Sequence, residues 1–79
     1  MDYNYRLVND CLYVTLSGRL DTENSIRLEA EIIEICKNNQ HSSMVLDATE
    51  LQYIASSGLR TILKIAKREK NFRIENVPA

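Results

Sequence analysis

Apolar and polar positions alternate twice near the start of the chain, over residues 3–8 and again over residues 11–17. In the second run Leu12, Val14 and Leu16 point one way and Cys11, Tyr13 and Thr15 the other. That two-residue period is the mark of a strand with one buried face. Asn9-Asp10 between the runs suits a two-residue turn, so the pattern predicts an antiparallel hairpin. Gly18 is expected to break the second strand. From residue 23 to 38 the period lengthens to that of a helix. Glu23, Arg27, Glu31, Glu34 and Asn38 form its wet stripe, with Glu23/Arg27 and Arg27/Glu31 spaced for i,i+4 ion pairs. Leu28, Ile32, Ile33 and Cys36 carry the apolar side, with Ile26, Ala30 and Ile35 at its margins. This arc is wider than one sheet contact requires. Asp21 or Thr22 can cap the helix by accepting a hydrogen bond from a first-turn amide.

Residues 38–43 are polar and read as a loop. Met44-Val45-Leu46 is a short continuous apolar run, the pattern of a strand buried on both faces. Asp47 is expected to end it, with a loop through Thr49 and Glu50 pinned to the core by Leu51 and Ile54. Residues 57–70 predict a second helix, with Leu59, Ile62, Leu63 and Ala66 inside and Arg60, Lys64, Lys67 and Arg68 outside. Phe72 and Ile74 fit a last strand after Asn71, and Pro78-Ala79 closes the chain. The order is β-β-α-β-α-β. Helical crossovers favour parallel pairing, so the expected fold is an α/β mixed sheet with helices packed against it.

A chain of 79 residues makes one small domain, taken as residues 1–79. Its 44% apolar and 27% charged content is that of a soluble globular protein rather than a disordered tail. The net charge of −1 gives no bulk electrostatic case for nucleic acid or an anionic membrane. No apolar run approaches the ~18 residues that span a bilayer, so no membrane insertion is expected. The opening MDYNYRLVND lacks the basic and apolar regions of a signal peptide, and a cytoplasmic location is the expectation. Cys11 and Cys36 lie in apolar patterns and read as small buried residues. His41 has no second histidine and no cysteine or carboxylate cluster near it in sequence. Neither a metal nor a cofactor is therefore expected.

The stretch Tyr53-Ile54-Ala55-Ser56-Ser57-Gly58-Leu59-Arg60 carries two adjacent hydroxyls at a predicted helix start. Ligands gather at such places, just past the carboxyl end of a strand in an open sheet. A capping role for Ser56, with Gly58 relieving crowding, is chemically sufficient. A nucleophile would need a base. The Gly-x-Ser-x-Gly turn is absent, and His41 falls at the other end of the sheet. A phosphate-cradling P-loop is missing as well. A phosphoacceptor role remains. Phosphorylation adds about −1.5 to −2 charge, which free amides and the helix dipole at this point favour. Arg60 lies four residues beyond Ser56, and Lys64 one further turn along.

The run Val45-Leu46-Asp47-Ala48-Thr49-Glu50-Leu51-Gln52-Tyr53-Ile54-Ala55-Ser56-Ser57-Gly58-Leu59 resembles the signature of STAS domains, the anti-sigma factor antagonist family. Leu16-Ser17-Gly18-Arg19-Leu20-Asp21 resembles the family's Leu-x-Gly-x-Leu-Asp turn upstream. The resemblance implies a non-enzymatic switch that binds an anti-sigma factor acting also as a serine kinase, and that is released by phosphorylation at Ser56 or, as second choice, Ser57. It implies a partner surface of Asp21, Thr22, Asp47, Ala55, Ser57, Gly58, Leu59, Arg60 and Lys64. Two alternatives stay open. One is a STAS scaffold or accessory subunit that never meets a kinase, as in phospholipid-transport or stress-signalling complexes. The other is a domain that binds a nucleotide or small ligand on the Ser56–Gly58 amides. The sequence departs from the family at Ala55, where sporulation-type antagonists often have Asp. It also stops where the family usually continues with a helix, a strand and a closing helix. The expectation is a short or C-terminally truncated domain with bare apolar surface, which pairs with a second copy or is poorly stable.

Overall fold

The computed structural model of the chain describes residues 2–76, so Pro78-Ala79 lie outside the described residues. The elements are β1 (Asp2–Val8), β2 (Cys11–Leu20), α1 (Thr22–Asn38), β3 (Ser43–Ile54), α2 (Ser56–Arg68) and β4 (Phe72–Glu75). The strands form one sheet in the order β1-β2-β3-β4, with β1 antiparallel to β2 and the other two pairings parallel. The sheet is open, with β1 and β4 as its edges. This is the mixed sheet and element order that the hydrophobic pattern predicts.

The hairpin turn uses Asn9 and Asp10, both at positive φ (50° and 65°). A two-residue turn needs that handedness to match strand twist, and Asn and Asp tolerate it. Beyond the hairpin, β2 runs further than the alternation indicated. Gly18, at φ 89°, does not end the strand. It sits at a register irregularity whose extra residue lies in β3, and β2 pairs with β3 as far as Leu20. For the same reason Asp47 does not end β3. The strand continues to Ile54 because the extended β2 supplies partners, and β3 absorbs the mismatch as bulges.

The core lies between the sheet and both helices. Leu12, Val14, Leu16 and Leu20 of β2 meet Met44, Leu46, Ala48 and Leu51 of β3, with Leu28, Ile32 and Ile35 of α1 and Ile62 and Ile65 of α2 above them. The steps β2→β3→β4 run in one direction across the sheet, so right-handed crossovers put both helices on one face. The apolar sides of the helices differ from those expected. On α1, Ile35 is buried while Ile33 is only half-buried and Ile26 is exposed. On α2, Gly58, Thr61, Ile62 and Ile65 face inward, whereas Leu59 and Leu63 are exposed. Tyr5, Leu7 and Val8 on the β1 edge are also exposed.

The opposite face of the sheet carries a group of polar side chains around the buried Val45. Tyr13 points its hydroxyl at Glu75 (3.1 Å) and Asp47 (3.4 Å), and Arg6 lies over the Tyr13 ring. Asp47 also accepts from the Thr49 amide (3.0 Å), the Thr49 hydroxyl (2.5 Å) and the Asn76 amide (3.2 Å). The Thr49 bonds, then that from Asn76, hold the Asp47 carboxyl below its ordinary pKa. A carboxylate held low in the fold stabilises it above the unfolded pKa, and that contribution is lost as pH falls through the folded value. Thermal melts from pH 6 downward are therefore expected to steepen below about pH 4. Asp47→Asn should flatten that acid limb, and an unchanged limb would show that Asp47 does not set it.

Candidate functional site

Two helix amino ends stand side by side past the carboxyl ends of β2 and β3. Asp21 caps the first, its carboxylate accepting from the Asn24 amide at 2.9 Å. The Asp21 carbonyl accepts from the Ser25 amide (2.9 Å) and hydroxyl (2.5 Å), and Asn24 Nδ2 donates back to the Arg19 carbonyl at 3.0 Å. Asp21→Ala is expected to cost about 1 kcal/mol. For a domain of this size that is a fall of roughly 4–8 °C in Tm. Circular-dichroism melting measures it.

The second helix begins differently. Its N-cap is Ala55, which has no side chain able to cap, so Ser56 is the first residue of α2 rather than its cap. The Ala55 amide donates to the Leu20 carbonyl at 2.9 Å, and its carbonyl accepts from Leu59 at 3.0 Å. The backbone is thereby fixed, while the amides of the first turn lack the side-chain acceptor that commonly satisfies one of them. Ser57 is half-buried, and its hydroxyl donates to Thr22 Oγ1 at 3.0 Å, which joins the two helix starts. Ser56 is exposed and its hydroxyl has no hydrogen-bond partner among the described residues. Gly58 is buried against Leu20. A Cβ there would meet Leu20 Cγ at 2.8 Å and the Leu20 carbonyl oxygen at 2.9 Å.

Asp21, Thr22, Ala55, Ser56, Ser57 and Gly58 are thus brought to one end of the sheet. Leu59 and Arg60 are exposed on the first turn of α2, and Lys64 lies further along it, 3.6 Å from Glu29 of α1. Asp47 does not join them. On β2, its partner Thr15 lies five positions before Leu20, which pairs with Ile54. At strand rise that is about 17 Å. Its bonds to Thr49, Tyr13 and Asn76 make it a support of the polar sheet face. Sequence reasoning missed Arg19, whose guanidinium stacks over Tyr53 4.4 Å from the ring centre beside the cluster. Only the β2–β3 register, which pairs these two residues, brings them together.

At the other end of the sheet the fold overturns the reading of His41 as isolated. Its Nε2 pairs with Glu69 and its Nδ1 lies 2.6 Å from the Asn39 carbonyl, with Cys36 alongside. Burial alone would lower the His41 pKa, but the Asn39 carbonyl and Glu69 outweigh it and the net shift is upward. Burial, reinforced by Glu69, pushes the Cys36 thiol to about 11. Both cysteines are free and half-buried. Among the described residues no helix is long and apolar enough to cross a membrane.

The sequence model of the STAS domain matches residues 2–77. BtrV of Bordetella bronchiseptica, which bears the name anti-sigma factor antagonist, is 33% identical over 70 residues; the match takes in 89% of this chain and 60% of that protein's length. The structure of the anti-sigma factor antagonist SpoIIAA in its unphosphorylated form superposes with a TM-score of 0.69 at 17% identity, over 98% of this chain and 76% of that one. An antisigma-factor antagonist STAS domain from Rhodobacter sphaeroides gives 0.73 at 15% identity, over 95% and 85%. At such identities the two structures speak for the fold alone.

Proposed function

The chain belongs to the STAS domain family, and on that premise we propose that it is a non-catalytic regulatory protein acting as an anti-sigma factor antagonist. Its partner in this reading is an anti-sigma factor with serine-kinase activity, met in the cytoplasm. Phosphorylation of Ser56 ends the association. The observation that carries the proposal is the contrast between the two serines: Ser57 is tied to Thr22, whereas Ser56 is exposed with its hydroxyl unengaged. A kinase needs an acceptor it can reach and reorient.

The uncapped start of α2 supports the same reading. Its first-turn amides and the helix dipole would stabilise a phosphate on Ser56 within the protein. Arg60, one turn along the helix, offers a charge-assisted hydrogen bond to it. The dianion would then penalise a partner that buries this surface, because a charge removed from water without a counter-charge costs several kcal/mol by order of magnitude. Asp21, Thr22, Ala55, Ser57, Gly58, Leu59, Arg60 and Lys64 frame the contact. Self-association through the exposed apolar β1 edge belongs to the same proposal.

The test is phosphorylation by a candidate kinase with ATP, comparing wild type, Ser56→Ala and Ser57→Ala by mass spectrometry. Loss of the phosphate in Ser56→Ala alone supports the assignment. Modification of Ser57, or none of either serine, rejects it.

A further inference from the structure

Both ring nitrogens of His41 face acceptors. Nδ1 lies against the Asn39 carbonyl oxygen and Nε2 against a carboxylate oxygen of Glu69. A carbonyl cannot donate, so Nδ1 carries a proton. Nε2 is then either protonated, as an imidazolium paired with Glu69, or it directs its lone pair at an anionic oxygen. The second arrangement is favourable only with a proton on the carboxyl group or a metal cation between the two. A third donor, Cys36 Sγ, completes the triangle: the three ligand atoms all lie within 4.8 Å of one another. We propose that Cys36 Sγ, His41 Nε2 and a Glu69 carboxylate oxygen bind one divalent transition-metal ion of the zinc type.

The donor set fits such an ion. Thiolate, imidazole and carboxylate are the three ligand classes that zinc takes from proteins. Metal–ligand bonds of about 2.0–2.3 Å put tetrahedral donor atoms roughly 3.3–3.6 Å apart. Side-chain rotation of about an ångström would bring the triangle to that size, the hydrogen-bonded His41–Glu69 edge opening and any longer edge to Cys36 Sγ closing. Thiolate and carboxylate together cancel the two positive charges. The Nδ1–H bond to the Asn39 carbonyl is the kind of outer contact that holds a metal-binding histidine in one tautomer and orientation. The site is nearly dry, with the side chains of His41 and Glu69 only 10% and 13% exposed. On its outer side a cavity of about 430 Å³ bounded by Ser42, Arg68, Lys70 and Asn71 gives water access to the fourth coordination position. Cys36 is in the last turn of α1, His41 in the connection to β3, and Glu69 at the carboxyl end of α2. A bound ion would therefore fasten three segments together. The proposal does not depend on the role of Ser56.

The experiment is a titration of reduced, chelator-treated protein with zinc chloride and with cobalt chloride. One equivalent is expected to bind. At a hundredfold excess of free zinc over Kd, Tm should rise on the order of 10 °C. Cobalt should give tetrahedral visible absorption and a sulfur-to-metal charge-transfer band. That band should persist in Cys11→Ser and disappear in Cys36→Ser. His41→Gln and Glu69→Gln should each weaken zinc at least tenfold, with the metal-free fold of every variant checked by circular dichroism. If Cys36→Ser fails to fold, the cobalt spectrum of the Cys11→Ser protein decides alone, since Cys36 is then its only thiol. A spectrum without the sulfur band, a band that survives Cys36→Ser, or a Tm indifferent to zinc overturns the proposal. The group is then an imidazolium–carboxylate pair beside a bystander thiol.

Discussion

Gly58→Val is expected to remove about 3 kcal/mol of folding stability, the upper part of the range for overfilling a packed site. A chain of 79 residues holds only about 4–12 kcal/mol in all, so the loss is a large share. The first atom of any side chain at this position lands 2.8 Å from Leu20 Cγ and 2.9 Å from the Leu20 carbonyl oxygen. Leu20 is fully buried and cannot swing aside, and its carbonyl is held by the Ala55 amide. Relief requires α2 to lift from the end of β2. Gly58→Ala should lose less, because the same clash is offset by about 1 kcal/mol of helix propensity. Urea denaturation measures both. The clash has a signature beyond its size: Leu20→Ala should cost at least about 1 kcal/mol less in the Gly58→Val background than in wild type. Additive losses would show that Leu20 is not the obstacle.

Ser56→Asp is expected to act on binding and folding in opposite directions. A carboxylate at the first residue of α2 interacts favourably with the helix dipole, by about 0.3–1 kcal/mol. Tm should hold or rise slightly. Affinity for the proposed anti-sigma partner should fall by at least tenfold, since an uncompensated charge at a desolvated contact costs about 2–5 kcal/mol. Calorimetric titration against the partner, set beside a thermal melt of the free protein, reads both signs. Equal affinity of the wild-type and Asp proteins would remove the switch. A loss of affinity with a matching loss of stability would mean only that the helix start had been damaged.

The hairpin was legible because β2 buries one face, so Leu12, Val14 and Leu16 stand out at alternate positions. The Asp21 cap was legible because capping is local chemistry, settled within three residues. The strand ends were not. Gly18 and Asp47 look like breakers, yet each strand continues because the other supplies its hydrogen bonds, and bulges shift the alternation out of phase. The buried face of α2 was misjudged by one position, a rotation of about 100°. Leu59 and Leu63 advertise an apolar stripe, but the close approach of Gly58 to Leu20 turns Thr61 and Ile65 inward. Of the candidate site, the serines and both helix starts could be read from motif and spacing. The Cys36–His41–Glu69 group could not, because His41 and Glu69 meet across 28 residues of chain.

The strand order also carries a kinetic consequence. The first two strands meet through a two-residue turn, whereas each parallel pairing must wait for a whole helix to be laid across the sheet. Loop closure over such lengths is what slows a nucleus. The hairpin is therefore the natural seed of folding. β4, joined to its neighbour over only four residues, is expected to dock last, and its amides should be the first to exchange with deuterium.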